Sequence, residues 1–165
     1  MIALVLGGAR SGKSKVAEAR AAGLAAGAPV TVLATAVVAD DDMAERVAAH
    51  RARRPAGWFT VETGADLVGA LASCEGVALV DALGTWVAAA ADLAVDVQGL
   101  CTALADRGGD TVVVSEEVGL GVHPSSEAGR RFRDVVGTLN QAVAAIADDV
   151  VLVVAGRTLA LGGRG

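Results

Sequence analysis

Near the start of the chain a short apolar run, Ile2 to Leu6, breaks into Gly7-Gly8-Ala9-Arg10-Ser11-Gly12-Lys13-Ser14. That octet satisfies G-x-x-x-x-G-K-S, and an alanine-rich segment suited to a helix over 13–26 follows it. Strand, glycine-rich loop and helix in this order are what a phosphate-binding loop requires. The glycines let backbone N–H groups turn toward a phosphate, and the helix N-terminus adds partial positive charge. Lys13 is placed to reach the β- and γ-phosphates of a nucleoside triphosphate, and the Ser14 hydroxyl to ligate Mg²⁺. The competing reading, a chance glycine turn, has to explain four fixed positions in the right setting.

Four more runs rich in β-branched residues follow, at 30–35, 77–81, 111–115 and 150–155, with a short extra strand allowed near 58–61. Helical patterns fall near 13–26, 40–54, 65–73, 86–106 (broken) and 125–147. Continuous apolar strands suit a parallel sheet covered on both faces. The alternation predicts an α/β, P-loop NTPase-like, doubly wound and mostly parallel sheet with helices on both faces. No repeat or linker divides the chain, so residues 1–165 read as one domain. Gly162-Gly163-Arg164-Gly165 reads as a frayed end.

Composition excludes some functions. A formal net charge of −5 argues against general nucleic-acid binding. Hydrophobic residues make up 53% of the chain, yet no apolar run approaches the roughly 20 residues of a transmembrane helix. With no signal peptide ahead of the first strand, the expectation is a cytoplasmic protein. Cys74 and Cys101 lack metal-like spacing and read as small buried or half-buried thiols.

Val77-Ala78-Leu79-Val80-Asp81 has the form of a Walker-B strand, whose terminal carboxylate helps hold Mg²⁺. Many buried strands end in Asp as a turn or cap, so the pattern gains weight only beside the phosphate loop. The segment from Asp40 to Arg54 is the most unusual. Acid at its start and base at its end suit a helix dipole, which alone would make it an ordinary surface helix. Arg46, His50, Arg53 and Arg54 recur at three- or four-residue spacing and share a face. A histidine among guanidinium groups is held neutral and nucleophilic near pH 7, with arginines to bind the phosphate it attacks. Glu117, in Ser115-Glu116-Glu117-Val118-Gly119, stands at a strand's carboxyl end as a polar contact or general base, and His123 reads as a loop histidine. Trp58 and Trp86 suit a planar ligand or, more commonly, the core. Neither an Asn-Lys-x-Asp base-reading signature nor an Asp-x-x-Gly switch signature is recognised in the chain, which lowers the reading as a signalling GTPase.

Taken together, GGARSGKS, the Ala34-Thr35-Ala36 run, DDDMAERVAAHRARRP, VDALGTW, SEEVGLGVHP and GRRFRDVVGTLNQAVAAIADDVVLVVAG resemble one family. It is the bifunctional adenosylcobinamide kinase/adenosylcobinamide-phosphate guanylyltransferase family of cobalamin biosynthesis, and the resemblance covers about residues 2 to 156. It implies phosphorylation of adenosylcobinamide by ATP or GTP, then transfer of GMP from GTP to adenosylcobinamide phosphate through a GMP-histidine intermediate. His50 matches the nucleotide-accepting histidine. Arg51, Ala52, Arg53, Arg54, Glu62 and residues 34–36 match GTP-contacting positions, and Asp81 the Walker-B acid. The resemblance also implies a homotrimer. This sequence departs from the family's common pattern at Gly84 (usually Thr), Ala89 (usually Asn) and Glu116 (usually Asn). The alternatives from other classes are a P-loop small-metabolite kinase without guanylyl transfer and a partner-regulated nucleotide switch.

Overall fold

The computed structural model describes residues 1–37, 45, 48, 52 and 54–164. Seven strands form one sheet: β1 (Ile2–Gly7), β2 (Val30–Ala34), β3 (Phe59–Glu62), β4 (Val77–Asp81), β5 (Thr111–Glu116), β6 (Asp149–Val154) and β7 (Arg157–Gly162). Their order is β3-β2-β4-β5-β1-β6-β7, parallel throughout except for β7, which pairs antiparallel with β6. The helices are α1 (Lys13–Ala25), α2 (Leu67–Ser73), α3 (Leu83–Ala89), α4 (Val97–Asp106) and α5 (Glu127–Ile146), with a 3₁₀ turn at Ala91–Leu93. Glu45, Ala48 and Ala52 are helical, in keeping with the helix expected over 40–54, and the rest of that segment lies outside the described residues.

The predicted α/β architecture is what forms. Every residue of β1 is buried, because β5 and β6 flank it and helices cover both faces. On one face α1 presents Ala17, Ala21 and Ala25 to Ala3, Val5, Val30, Val32, Val112, Val114 and Val153. These alanines recur every four residues, so one narrow stripe of small side chains lets the helix lie close to the strands. The other face carries a larger-residue core, including Leu4, Leu33, Leu71, Leu83, Trp86, Leu100, Leu139 and Val143 from the sheet and α2 to α5. Trp86 is core rather than ligand platform: it is buried and its indole N–H bonds the Ala65 carbonyl at 2.8 Å.

Local chemistry sets the helix starts. Asp66, Asp96 and Ser126 cap α2, α4 and α5 by accepting the N–H of Gly69, Gly99 and Gly129. The broken helix expected over 86–106 begins three residues earlier and divides into α3, the 3₁₀ turn and α4, where Asp92 and Leu93 have positive φ.

The C-terminal end corrects an expectation. Gly162 completes β7 rather than fraying, the Arg164 N–H bonds the Ala147 carbonyl, and the Arg164 Nε bonds Asp148 at 2.8 Å. The β6–β7 turn, Ala155-Gly156, has both φ values positive (51° and 74°). That is the pattern of a two-residue hairpin whose twist matches its strands. Asp148 also accepts the Ile2 N–H at 2.7 Å. The Ile2 bond and then Arg164 hold its carboxyl below the usual range, against an opposing desolvation effect. A depressed native pKa gives stability that is present above the unfolded pKa and lost as pH falls through the native one. We expect the stability difference between the native chain and D148N, from urea unfolding at several pH values, to be constant near neutrality and to vanish on acidification. A pH-independent difference would remove Asp148 from this role.

Candidate active site

Because six strands run parallel, their carboxyl ends share one edge of the sheet. Gly7, Ala34, Glu62, Asp81 and Glu116 end their strands there. Open α/β sheets place their ligands along this edge.

The loop between β1 and α1 occupies its centre. Gly12 sits at φ 95°, and Ser11 N–H bonds the Gly8 carbonyl at 3.3 Å. A Cβ on Gly12 would lie 3.3 Å from Gly156 Cα, so the loop packs directly on the β6–β7 turn. The turn holds it there, with Gly156 N–H bonding the Ser11 carbonyl at 2.8 Å. The Ser11 hydroxyl, nearly buried, accepts the Lys13 N–H at 3.3 Å. Ala9 and Arg10 are exposed at the loop tip. In contrast to α2, α4 and α5, α1 has no side-chain cap. Beyond the Lys13 amide, which Ser11 takes, its first-turn amides have no side-chain cap and keep hydrogen-bonding capacity for an anion. Lys13 Nζ donates to the Gly8 carbonyl at 3.4 Å and lies 3.6 Å from Glu116 Oε1, while half-buried Ser14 follows in the first turn of α1.

Asp81 lies two strands away from β1, with β5 between them. Its Oδ2 receives Arg54 at 2.9 Å, and both side chains are largely shielded (7% and 15% exposed). Arg54 also donates to the Thr60 hydroxyl at 3.3 Å. Thr35, expected at the nucleotide, is fully buried: its hydroxyl shares hydrogen bonds with Ala82 and with Thr85 Oγ1, the latter at 2.6 Å. Its side chain thus braces the turn after Asp81, and what residue 35 offers the edge is backbone. Ala34 and Ala36 are half-buried beside it, and exposed Glu62 pairs in register with Ala34. Ala52 is helical and exposed. His50, Arg51 and Arg53 lie outside the described residues. His123 stands in an exposed loop with Nδ1 2.8 Å from Arg133, and Glu117 Oε1 accepts the Gly119 N–H.

Two features escaped the sequence reading. Asp81-Ala82-Leu83-Gly84 has the Asp-x-x-Gly spacing of nucleotide switches, but its Gly84 N–H is taken by Glu116 Oε2 at 2.8 Å. Glu116 itself joins the β5 edge to both Lys13 and α3. The sequence had marked Glu116 and Gly84 as departures from the family's common pattern, without the contact that joins them.

Oxygen donors at Asp81 and Ser14 suit a hard cation, and Mg²⁺ typically needs only one or two carboxylates beside phosphates and water. No cluster of three or more potential metal-ligating side chains exists among the described residues. The donor set therefore fits a metal brought with a triphosphate rather than a protein-only metal cage.

Fold and loop geometry define an α/β protein of the P-loop nucleotide-binding class. Residues 3–161 match the model of the cobinamide kinase / cobinamide phosphate guanyltransferase family, and the chain belongs to that family. It is 40% identical to the bifunctional adenosylcobalamin biosynthesis protein CobP of Pseudomonas aeruginosa, covering 98% of this chain and 97% of the relative. Identity is 37% to the protein of Salmonella typhimurium named bifunctional adenosylcobalamin biosynthesis protein CobU, and 36% to its namesake in Escherichia coli. Each match covers 94% of this chain and 97% of the relative. It is a transferase family, as the loop and the arginine-rich segment suggest.

The Arg54–Asp81 pair gives the site a measurable energetic signature. Removing either member of a shielded ion pair forfeits the charge-assisted hydrogen bond between them. Arg54→Met and Asp81→Asn should each lose about 1–3 kcal/mol in urea unfolding, with the double variant losing far less than their sum. Strict additivity would mean the contact is energetically idle.

Proposed function

We propose that this chain is a bifunctional enzyme that phosphorylates adenosylcobinamide with ATP or GTP, then guanylylates the product with GTP. The observation that carries the reading is the Arg54–Asp81 ion pair. Arg54 is the last residue of the arginine-rich segment and Asp81 ends the Walker-B strand, so the pair joins Arg54 to the same sheet edge as the phosphate loop.

In this reading Gly7 to Ser14 cradle the triphosphate, with loop and α1 amides on its oxygens and Lys13 on the β- and γ-phosphates. In the kinase step the aminopropanol hydroxyl oxygen attacks the γ-phosphorus, its proton is lost, and the nucleoside diphosphate leaves. In the guanylyl step a neutral His50 ring nitrogen attacks the α-phosphorus of GTP and pyrophosphate leaves. The substrate phosphate oxygen then displaces histidine, forming adenosylcobinamide-GDP. Imidazole serves because it is both a nucleophile and a good leaving group. Arg51, Arg53 and Arg54 supply charge for the transferred phosphate, with Ala34 to Ala36, Ala52 and Glu62 around the nucleotide. Mg²⁺, held through Ser14 and Asp81, would supply charge neutralisation on the phosphates.

The further parts of the proposal are a homotrimeric assembly and a cytoplasmic location. No helix among the described residues is long and apolar enough to cross a membrane.

Incubation with GTP labelled at the α-phosphorus should leave an acid-labile, base-stable label on the protein. His50→Ala should abolish that label, and Lys13→Ala should reduce it by at least about tenfold through lost phosphate stabilisation. Full labelling of His50→Ala would overturn the covalent role. Label passing only from the γ-phosphate to the acceptor would leave a simple kinase.

A further inference from the structure

Glu116 ends β5 opposite Gly7, which ends β1, so its side chain leaves the sheet beside the phosphate loop. The strand end is clamped from α5, where Asn140 Nδ2 donates to the Glu116 carbonyl at 3.0 Å. From this fixed point the carboxylate divides its oxygens. Oε2 accepts the Gly84 N–H at 2.8 Å, at the start of α3, and Oε1 faces Lys13 Nζ at 3.6 Å. A Cβ at position 84 would run into the Glu116 side chain and nothing else nearer, so any larger residue there requires the carboxylate to leave its present place. Gly84 and Glu116 are therefore sized to each other: the glycine seats the acid, and the seated acid meets the lysine.

The sign of the charge is the informative part. A carboxylate at the edge of a triphosphate pocket repels the ligand, and it neutralises the lysine that the ligand needs. A triphosphate entering the loop has to displace that counter-ion from Lys13. Both the loss of the ion pair and the residual repulsion subtract from binding in the ground state and the transition state alike.

We propose that Glu116, seated by Gly84, is a positioning residue that holds Lys13 before nucleotide arrives and sets triphosphate affinity lower than the loop alone would give. The inference rests on Lys13 as the triphosphate lysine.

Equilibrium titration of the full chain with a fluorescent GTP analogue, at several salt concentrations, tests this. E116Q keeps the size of the side chain and an acceptor for Gly84 while removing the charge. Its Kd should fall by roughly three- to tenfold, the scale of a partly shielded ion pair, and the gap from the native chain should narrow as salt rises. G84A keeps the charge but evicts it, so its Kd should shift the same way; on an E116A background, where no carboxylate remains to evict, it should shift nothing. Lys13→Ala should lose binding, and adding E116Q should not restore it.

If Lys13→Ala binds normally, the P-loop reading itself fails. If Lys13→Ala loses binding but E116Q also weakens it, Glu116 contributes to the bound state and the proposal is overturned. Equal effects of G84A with and without Glu116 would likewise overturn it, by reducing Gly84 to a helix-packing residue.

Discussion

The burial of β1 on both faces, between two parallel neighbours, is the constraint on which the rest of the molecule depends. A strand buried along its whole length must satisfy its backbone groups through β5 and β6. Parallel pairing then obliges the chain to return by crossovers, and it brings the carboxyl ends of six strands to one edge. The phosphate loop, Asp81 and Glu116 come together for that reason, although they are separated by 65 or more positions where Gly7 or Lys13 is compared with them. The chemistry is local in space because the core is uniform along the strands.

At that edge positive and negative groups are already matched. Lys13 faces Glu116, and Arg54 faces Asp81. Both acids end neighbouring strands, β5 and β4, and both bases come from segments expected to meet phosphate. Partly shielded charges without partners would be costly, so the pairs stabilise the edge before any ligand is present. The consequence is that an anionic ligand competes with protein carboxylates for the same cations. Affinity is then a difference between two ion pairings, and a single charge on the protein side can tune it.

Most of the architecture was legible because the strands are continuous β-branched runs and the loop octet has few alternative uses. The segments that resisted reading are those whose pattern is set by tertiary contact. β7, with Leu159 and Leu161 exposed on an edge strand, has no covered face to impose a strong signal, and its glycine-rich tail resembled a frayed end. Its signal was the Ala155-Gly156 turn, small residues able to take positive φ between β6 and a second alternating run. Thr35 was expected at the nucleotide and not as a buried brace, because a hydroxyl's partners on another strand's turn leave no periodicity. Glu116 was visible as a departure from the family's pattern but not as a contact; its partners at Lys13 and Gly84 lie 103 and 32 residues away.

The C-terminal strand β7 shows how an element without a covered face still serves the site. Its turn touches the loop through Gly156, which donates to the Ser11 carbonyl and faces Gly12, where a Cβ would lie 3.3 Å from the Gly156 α-carbon. Gly12 needs a positive φ to present the first amides of α1, and that conformation brings its α-carbon against the turn. The loop is therefore shaped from two sides: Lys13 N–H on Ser11 within it, and the hairpin outside it. Preorganised amides bind an anion without first spending energy on ordering the backbone. An edge strand that looks dispensable by burial thus helps, through the turn that leads into it, to set the geometry of β1's functional end.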